Sequence, residues 1–254
     1  MFPLRDDNPT VRTSVVTFGI IGLNVAAWVL LQGFGTEPGL SRSICELGAI
    51  PGDLLGTVAP GMRVQIGPDA VCVLGGGGRW LTTLSSMFMH GGWFHIASNM
   101  WFLAVFGDNV EDSMGPVRFG VFYVLCGLAA VAAQVVSNPA SPIPMVGASG
   151  AIGGVMGGYA MLYPRAPVHM LIIFGFYINR VVVPAYLMLG YWLVIQLVGA
   201  VPALRSEGGG VAFWAHIGGF AAGALLVSWF RDPARVEAHN ALRAGRRPTQ
   251  VRRR

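Results

Sequence analysis

Residues 147–165 read GASGAIGGVMGGYAMLYPR, an uncharged run with six glycines and one serine that ends at Pro164-Arg165. At helical spacing, Gly150, Gly154 and Gly158 form one stripe, and Ser149, Gly153 and Gly157 form a second beside it. A second run, residues 211–230, carries Gly219 and Gly223 with Ala215 and Ala222 nearby. Small residues four apart let membrane helices approach backbone to backbone. The two runs therefore read as packed helices, and packing them brings Ser149 toward His216. Glycine stripes alone would be explained by packing. A serine and a histidine beside them turn attention to a site.

The rest of the chain fits a bilayer. Its 254 residues are 54% hydrophobic and 11% charged, and the mean hydropathy is +0.58. A soluble domain carries about 25% charged residues, so a water-soluble enzyme and a disordered chain are both excluded. With roughly 20 apolar residues per span, the sequence predicts an all-α bundle of six transmembrane helices: Val15–Phe34, Trp93–Gly107, Val117–Val136, Ser149–Tyr163, Val181–Val201 and Val211–Phe230. Residues 1–14 form an inner segment, 15–230 the membrane domain and 231–254 a basic, disordered inner tail. Residues 35–90 are a long outer loop, Val168–Phe176 is apolar but too short to span, and Asp108, Glu111 and Asp112 mark an aqueous turn. The first run lacks a small-residue cleavage site and is read as a retained helix.

All 17 basic residues are arginine, against 12 acidic ones. Arg5, Arg12, Arg118, Arg165, Arg180 and the arginines from Arg231 onward fall on one side. Only Arg42, Arg63, Arg79 and Arg205 fall on the other. The positive-inside bias then places both termini inside, in an inner (plasma) membrane. The arginine-rich end reads as a segment near anionic lipid rather than a nucleic-acid site. The partners expected are the bilayer and membrane-protein substrates, with no nucleic acid. Cys45 and Cys72 share the outer loop, and the sequence leaves open whether they pair.

Ionisable and polar residues within spans are functional candidates. Here they are His95 and Asn99, one turn apart on the second helix, then Ser149 and His216. Ser149 and His216 each lie 14 residues above an inner boundary (Tyr163 and Phe230), and His95 lies 13 above Asp108. At 1.5 Å per residue all three sit about 20 Å above the inner surface, near 10 Å below the outer one. His216 would activate the Ser149 hydroxyl as general base. His95, Asn99 and the glycine-flanked backbone at Gly147 and Gly150 would supply donors for an oxyanion. The acidic residues all fall in predicted loops or tails, so the unit is a dyad. No His-Glu-x-x-His occurs for a metalloprotease, no pair of buried aspartates for an aspartyl protease, and no repeat for a transporter. No metal or other cofactor is called for.

These residues carry a resemblance. Gly147-Ala148-Ser149-Gly150, then Ala215-His216-Ile217-Gly218-Gly219 with Gly223, and His90-Gly91-Gly92-Trp93-Phe94-His95 with Asn99 look like the motifs of rhomboid intramembrane serine proteases. The likeness runs from about Trp80 to Phe230. It implies a six-helix bundle that cuts transmembrane helices, with Ser149 as nucleophile, His216 as base, and His95 and Asn99 holding the oxyanion. The alternative is an inactive rhomboid-like protein that binds membrane helices, which would be expected to lack Ser149 or His216. Two departures stand out. Trp80 is followed by Thr82 where the family often has arginine, with Arg79 ahead of it. Gly153 stands where an aromatic commonly stacks on the catalytic histidine, so a residue on helix five or six is expected to hold the ring.

Overall fold

The structure, a computed structural model, describes residues 2–67, 70–203 and 211–245. Arg205 and the arginines from Arg246 onward lie outside the described residues. In chain order the elements are β1 (Phe2–Asp6), α1 (Val15–Leu30), α2 (Gly39–Leu47), α3 (Pro51–Leu55), β2 (Arg63–Gly67), β3 (Ala70–Val73), α4 (Thr82–Ser85) and α5 (Trp93–Met114). They continue with α6 (Pro116–Ser137), α7 (Ser149–Leu162), β4 (Pro167–Phe174), β5 (Tyr177–Pro184), α8 (Ala185–Ala203), α9 (Phe213–Phe230) and α10 (Pro233–Arg243). Among the described residues, three helices are long and apolar enough to cross a bilayer: Pro116–Ser137, Ala185–Pro202 and Phe213–Phe230. Val15–Leu30 is a shorter apolar helix.

α7 is the central post. Residues Gly150 to Tyr159 are buried among α5, α6 and α9, while α8 packs mainly on α9. The glycines explain this closeness. A Cβ at Gly219 would lie 1.9 Å from the Gly150 carbonyl oxygen, and one at Gly223 would lie 1.8 Å from that of Gly154. The α7–α9 seam is thus backbone on backbone. A Cβ at Gly158 would meet Phe122 of α6 at 3.1 Å and Val227 of α9 at 3.7 Å.

Helix lengths set the depth of the site. α7 has 14 residues and α6 has 22, about 21 and 33 Å. Gly150 faces Ala130 of α6, seven residues short of the end of α6 at Ser137. The start of α7 therefore lies about 10 Å short of the C-terminal end of its neighbour α6.

The loop between α1 and α5 is built, not slack. Cys45 and Cys72 are joined by a disulfide that ties α2 to the β2–β3 hairpin. Arg79 donates to the backbone carbonyls of Cys45 (3.3 Å) and Glu46, so it fastens the loop. The uncharged segment after α6 has backbone partners there: Met145 bridges Ala49, and Ser141 accepts from Gly52 at 2.8 Å.

Five sequence expectations need correction. The first helix ends at Leu30 rather than Phe34. The second runs to Met114, so Asp108, Glu111 and Asp112 are helical and not an aqueous turn. Glu111 and Asp112 are buried, at 3% and 2% exposure, because distant segments supply their donors. Glu111 accepts from the Val16 and Thr17 amides (3.0 and 2.7 Å) and the Thr17 hydroxyl (2.8 Å), capping α1 from outside. Asp112 accepts from the Val11 amide (2.8 Å) and Arg12 (3.3 Å). The expectation that every acidic residue lies in a loop or tail therefore fails, although none of these carboxylates reaches His216.

Fourth, residues 181–184 belong to a strand, and the fifth helix begins at Ala185. β4 and β5 form a hairpin, and β1 adds antiparallel to β4 in the order β1-β4-β5. The N-terminal segment is thus part of a sheet. Fifth, the tail is not wholly disordered, because α10 packs back onto the bundle. His239 is fully buried, stacked on Tyr163 (ring centroids 4.4 Å apart), with Nε2 2.9 Å from Asn8 Oδ1 and Nδ1 3.4 Å from Asp112. Nearby, burial pushes the Asp6 carboxyl up to about 7 even though the Tyr159 hydroxyl donates to it. Asp7, hydrogen-bonded to His169 at 2.7 Å, is held below the usual carboxylate range.

Candidate active site

Ser149 is the first residue of α7, and His216 stands near the start of α9. The α7–α9 backbone seam lies directly beneath them, so both side chains are carried by the closest helix pair in the molecule. The Ser149 Oγ lies 2.7 Å from His216 Nε2. Both residues are half-buried and line a cavity of about 490 Å³ shared with His95, Asn99, Trp192 and Met156.

The other ring nitrogen is occupied as well. His216 Nδ1 lies 2.7 Å from Gln196 Oε1. Gln196 Nε2 donates to the Trp192 carbonyl at 3.2 Å. A carbonyl only accepts, so the amide nitrogen must face Trp192 and the amide oxygen must face the imidazole. Nδ1 then carries the proton, and Nε2 is the bare lone pair facing Ser149. The indole of Trp192 tilts over the imidazole with centroids 5.8 Å apart. These two α8 residues answer the question raised by Gly153: a Cβ there would stand 3.6 Å from Trp192 Cη2 and 3.0 Å from the His216 carbonyl. A larger side chain at 153 would claim the space that Trp192 fills from the other side.

Across the cavity, His95 is ordered by its own helix start. Its Nδ1 accepts from the Gly91 amide at 3.2 Å, leaving Nε2 as a donor. That nitrogen points at the Ser149 end of the cavity: a Cβ at Gly147 would stand 2.7 Å from it and 3.4 Å from Ser149 Oγ. Gly147 adopts φ +125°, backbone that L side chains rarely reach. Only glycine both makes this turn and leaves the space open. The Gly150 α-carbon faces Ala130 at 2.5 Å (built Cβ to Cβ) and the Ala215 carbonyl at 3.7 Å, so its lack of a side chain serves packing. Gly154, Gly158, Gly219 and Gly223 lie farther along the packed helices.

Asn99 is buried, with its amide donating to the His95 carbonyl at 2.9 Å. It reaches the cavity wall but is turned partly back onto its own helix. His90 is fully buried, edge-on to His95 at 5.1 Å. Its backbone is clipped on both sides by Gln32 at 2.8 Å. No group of three His, Cys, Asp or Glu able to hold a metal occurs among the described residues.

Sequence reasoning missed Gln196 and Trp192. The available signal was their spacing: they are four apart on an otherwise apolar helix, hence on one face, and a lone amide in a span calls for a partner.

The Rhomboid domain profile matches residues 77–232. Over 174 residues the chain is 31% identical to RHOMBOID-like protein 5 of Arabidopsis thaliana, covering 68% of this chain and 50% of that one. RHOMBOID-like protein 4 of the same plant is 33% identical over 175 residues (68% and 39%). The Rhomboid protease GluP of Bacillus subtilis is 37% identical over 86 residues (34% and 16%). The chain thus spans half or less of the length of these relatives. The match takes in α5 to α9 and with them every side chain around the cavity; the chain belongs to the rhomboid family.

Proposed function

We propose that this chain is an intramembrane serine endopeptidase, cutting peptide bonds within or near the transmembrane helices of other membrane proteins. The observation that carries the reading is the 2.7 Å contact between Ser149 Oγ and an imidazole nitrogen whose lone pair is free to take the proton. Ser149 gives its proton to His216 Nε2 as Oγ attacks the scissile carbonyl carbon. The oxyanion so formed lies toward His95 Nε2–H, with the remaining Asn99 amide hydrogen and the backbone N–H groups at the start of α7 as further donors. His216 then passes the proton to the departing amine, leaving an ester on Ser149. A water, deprotonated by the same nitrogen, hydrolyses the ester and restores the serine.

In this reading α1, α5, α6, α7, α8 and α9 cross an inner (plasma) membrane with both termini inside. Residues 1–14 and 231–254 lie at the inner face, and the outer loop of residues 35–90 roofs the site, which opens outward. The roughly 10 Å recess of Ser149 sets the depth of the cut. Substrate must unwind to present an amide there, which favours helices weakened by Gly or Ser and cut beside small residues. Purified protein and its Ser149→Ala variant, incubated with a panel of single-span proteins, test the proposal. Cleavage by the first and not the second is expected. Binding without cleavage by both would instead favour the inactive helix-binding alternative.

A further inference from the structure

We infer that Gln196 is a positioning residue that sets the tautomer of His216, so that the reacting unit is a relay of Ser149, His216 and Gln196 borne on three helices, α7, α9 and α8. The inference rests on the hydrolytic reading above for its consequence, but its geometry stands alone.

A neutral imidazole carries its proton on either nitrogen, and only the Nδ1–H form has a lone pair at Nε2 for the serine proton. Nothing on α9 itself makes that choice. Gln196 does, because its oxygen lies 2.7 Å from Nδ1 and its nitrogen is engaged by the Trp192 carbonyl at 3.2 Å. A flipped amide would set its oxygen against the Trp192 carbonyl, acceptor on acceptor, so the amide holds this orientation. Gln196 is 6% exposed, so water does not compete freely for the same nitrogen. Trp192, one turn earlier on the same face, fixes the ring plane and is itself stacked on Phe220 (centroids 6.1 Å apart). Tautomer and plane are thus both set from α8.

A neutral amide suits this place better than a carboxylate. A carboxylate in the site would carry a charge into a low-dielectric region at a cost, whereas glutamine orients the ring and remains uncharged. During proton transfer it accepts from Nδ1–H throughout, and its dipole stabilises the imidazolium as that charge appears.

The test uses full-length protein in nanodiscs, with ¹⁵N-labelled histidine and a transmembrane reporter. In wild type, His216 shows a single tautomer with the proton on Nδ1. In Gln196→Leu both tautomers are expected, with kcat lowered at least about tenfold and KM unchanged. Gln196→Glu, which keeps an acceptor at that point, is expected to retain the Nδ1–H tautomer and to recover most of the kcat lost in Gln196→Leu, with a lowered melting temperature from the buried carboxylate. Should Gln196→Leu fail to fold, Gln196→Met is the second variant and is read in the same way. A single Nδ1–H tautomer in the apolar variants, or unchanged kcat, would overturn the inference, as would a defect confined to KM. Wild type that shows the Nδ1–H tautomer but cleaves nothing would refute the hydrolytic reading and leave the positioning role standing.

Discussion

Gly219→Ala is the sharpest probe of how the bundle sets its chemistry. A Cβ at this position would stand 1.9 Å from the Gly150 carbonyl oxygen. Carbon and carbonyl oxygen do not approach closer than about 3.3 Å, so α7 and α9 must part locally by roughly 1.4 Å. Gly150 adjoins Ser149, and Gly219 is one turn from His216, so the displacement is delivered at the dyad. The 2.7 Å separation of Oγ and Nε2 then grows to roughly 4 Å, beyond hydrogen-bond reach. Overpacking of this kind costs about 1–3 kcal/mol of stability, while loss of the base contact costs on the order of 10²-fold in rate. Activity should therefore fall much more than folded yield. The assay is cleavage of a transmembrane reporter in proteoliposomes beside a thermal melt in detergent. Gly22→Ala on α1, whose Cβ meets nothing within 4 Å, serves as control. A folded Gly219→Ala protein that cleaves within threefold of wild type would refute the claim that backbone contact sets the dyad.

Three further outcomes are expected. Gly147→Ala, placed at φ +125° and within 2.7 Å of His95 Nε2, should lose about 10²-fold in kcat; unchanged turnover in a reporter assay would show that the space beside His95 is not used. Glu111→Ala strands three donors at the start of α1 and should cost about 3 kcal/mol or more, read as a lowered melting temperature with the turnover of the folded fraction kept. Asp6 holds its proton to about pH 7 in the fold, against 3.8 ordinarily. Stability from this group is therefore complete below 3.8 and is lost as pH rises toward 7, by up to about 4 kcal/mol. Asp6→Asn should flatten that decline in melts between pH 5 and 8, and an identical decline in the variant would assign it elsewhere.

The apolar runs and the small-residue stripes were legible in the sequence because they are local, and the facing of Ser149 and His216 followed from equal depth along two helices. What escaped depends on partners far along the chain. Asp108, Glu111 and Asp112 look like a solvated turn by composition, and it is the distant Val11, Arg12, Val16, Thr17 and His239 that make Glu111 and Asp112 tenable inside. Residues 168–184 form an apolar stretch interrupted by His169, Gly175 and Asn179-Arg180, and periodicity alone does not separate strand from helix there. The β-branched Val181, Val182 and Val183 ahead of Pro184 were the available clue. Gln196 was passed over because one neutral amide in a span carries no pattern of its own.

The clasp around Glu111 and Asp112 bears on where this protein can be cut or recombined. Asp112 is reached by Val11 and Arg12 from one side of the chain and by His239 from the other, while the donors for Glu111 come from α1. All of these partners lie outside residues 77–232, the stretch recognised by the family profile. A fragment trimmed to that stretch would keep every group at the cavity yet strand two acids in its interior. Chimaeras within the family should accordingly exchange both flanks together with the bundle they lock.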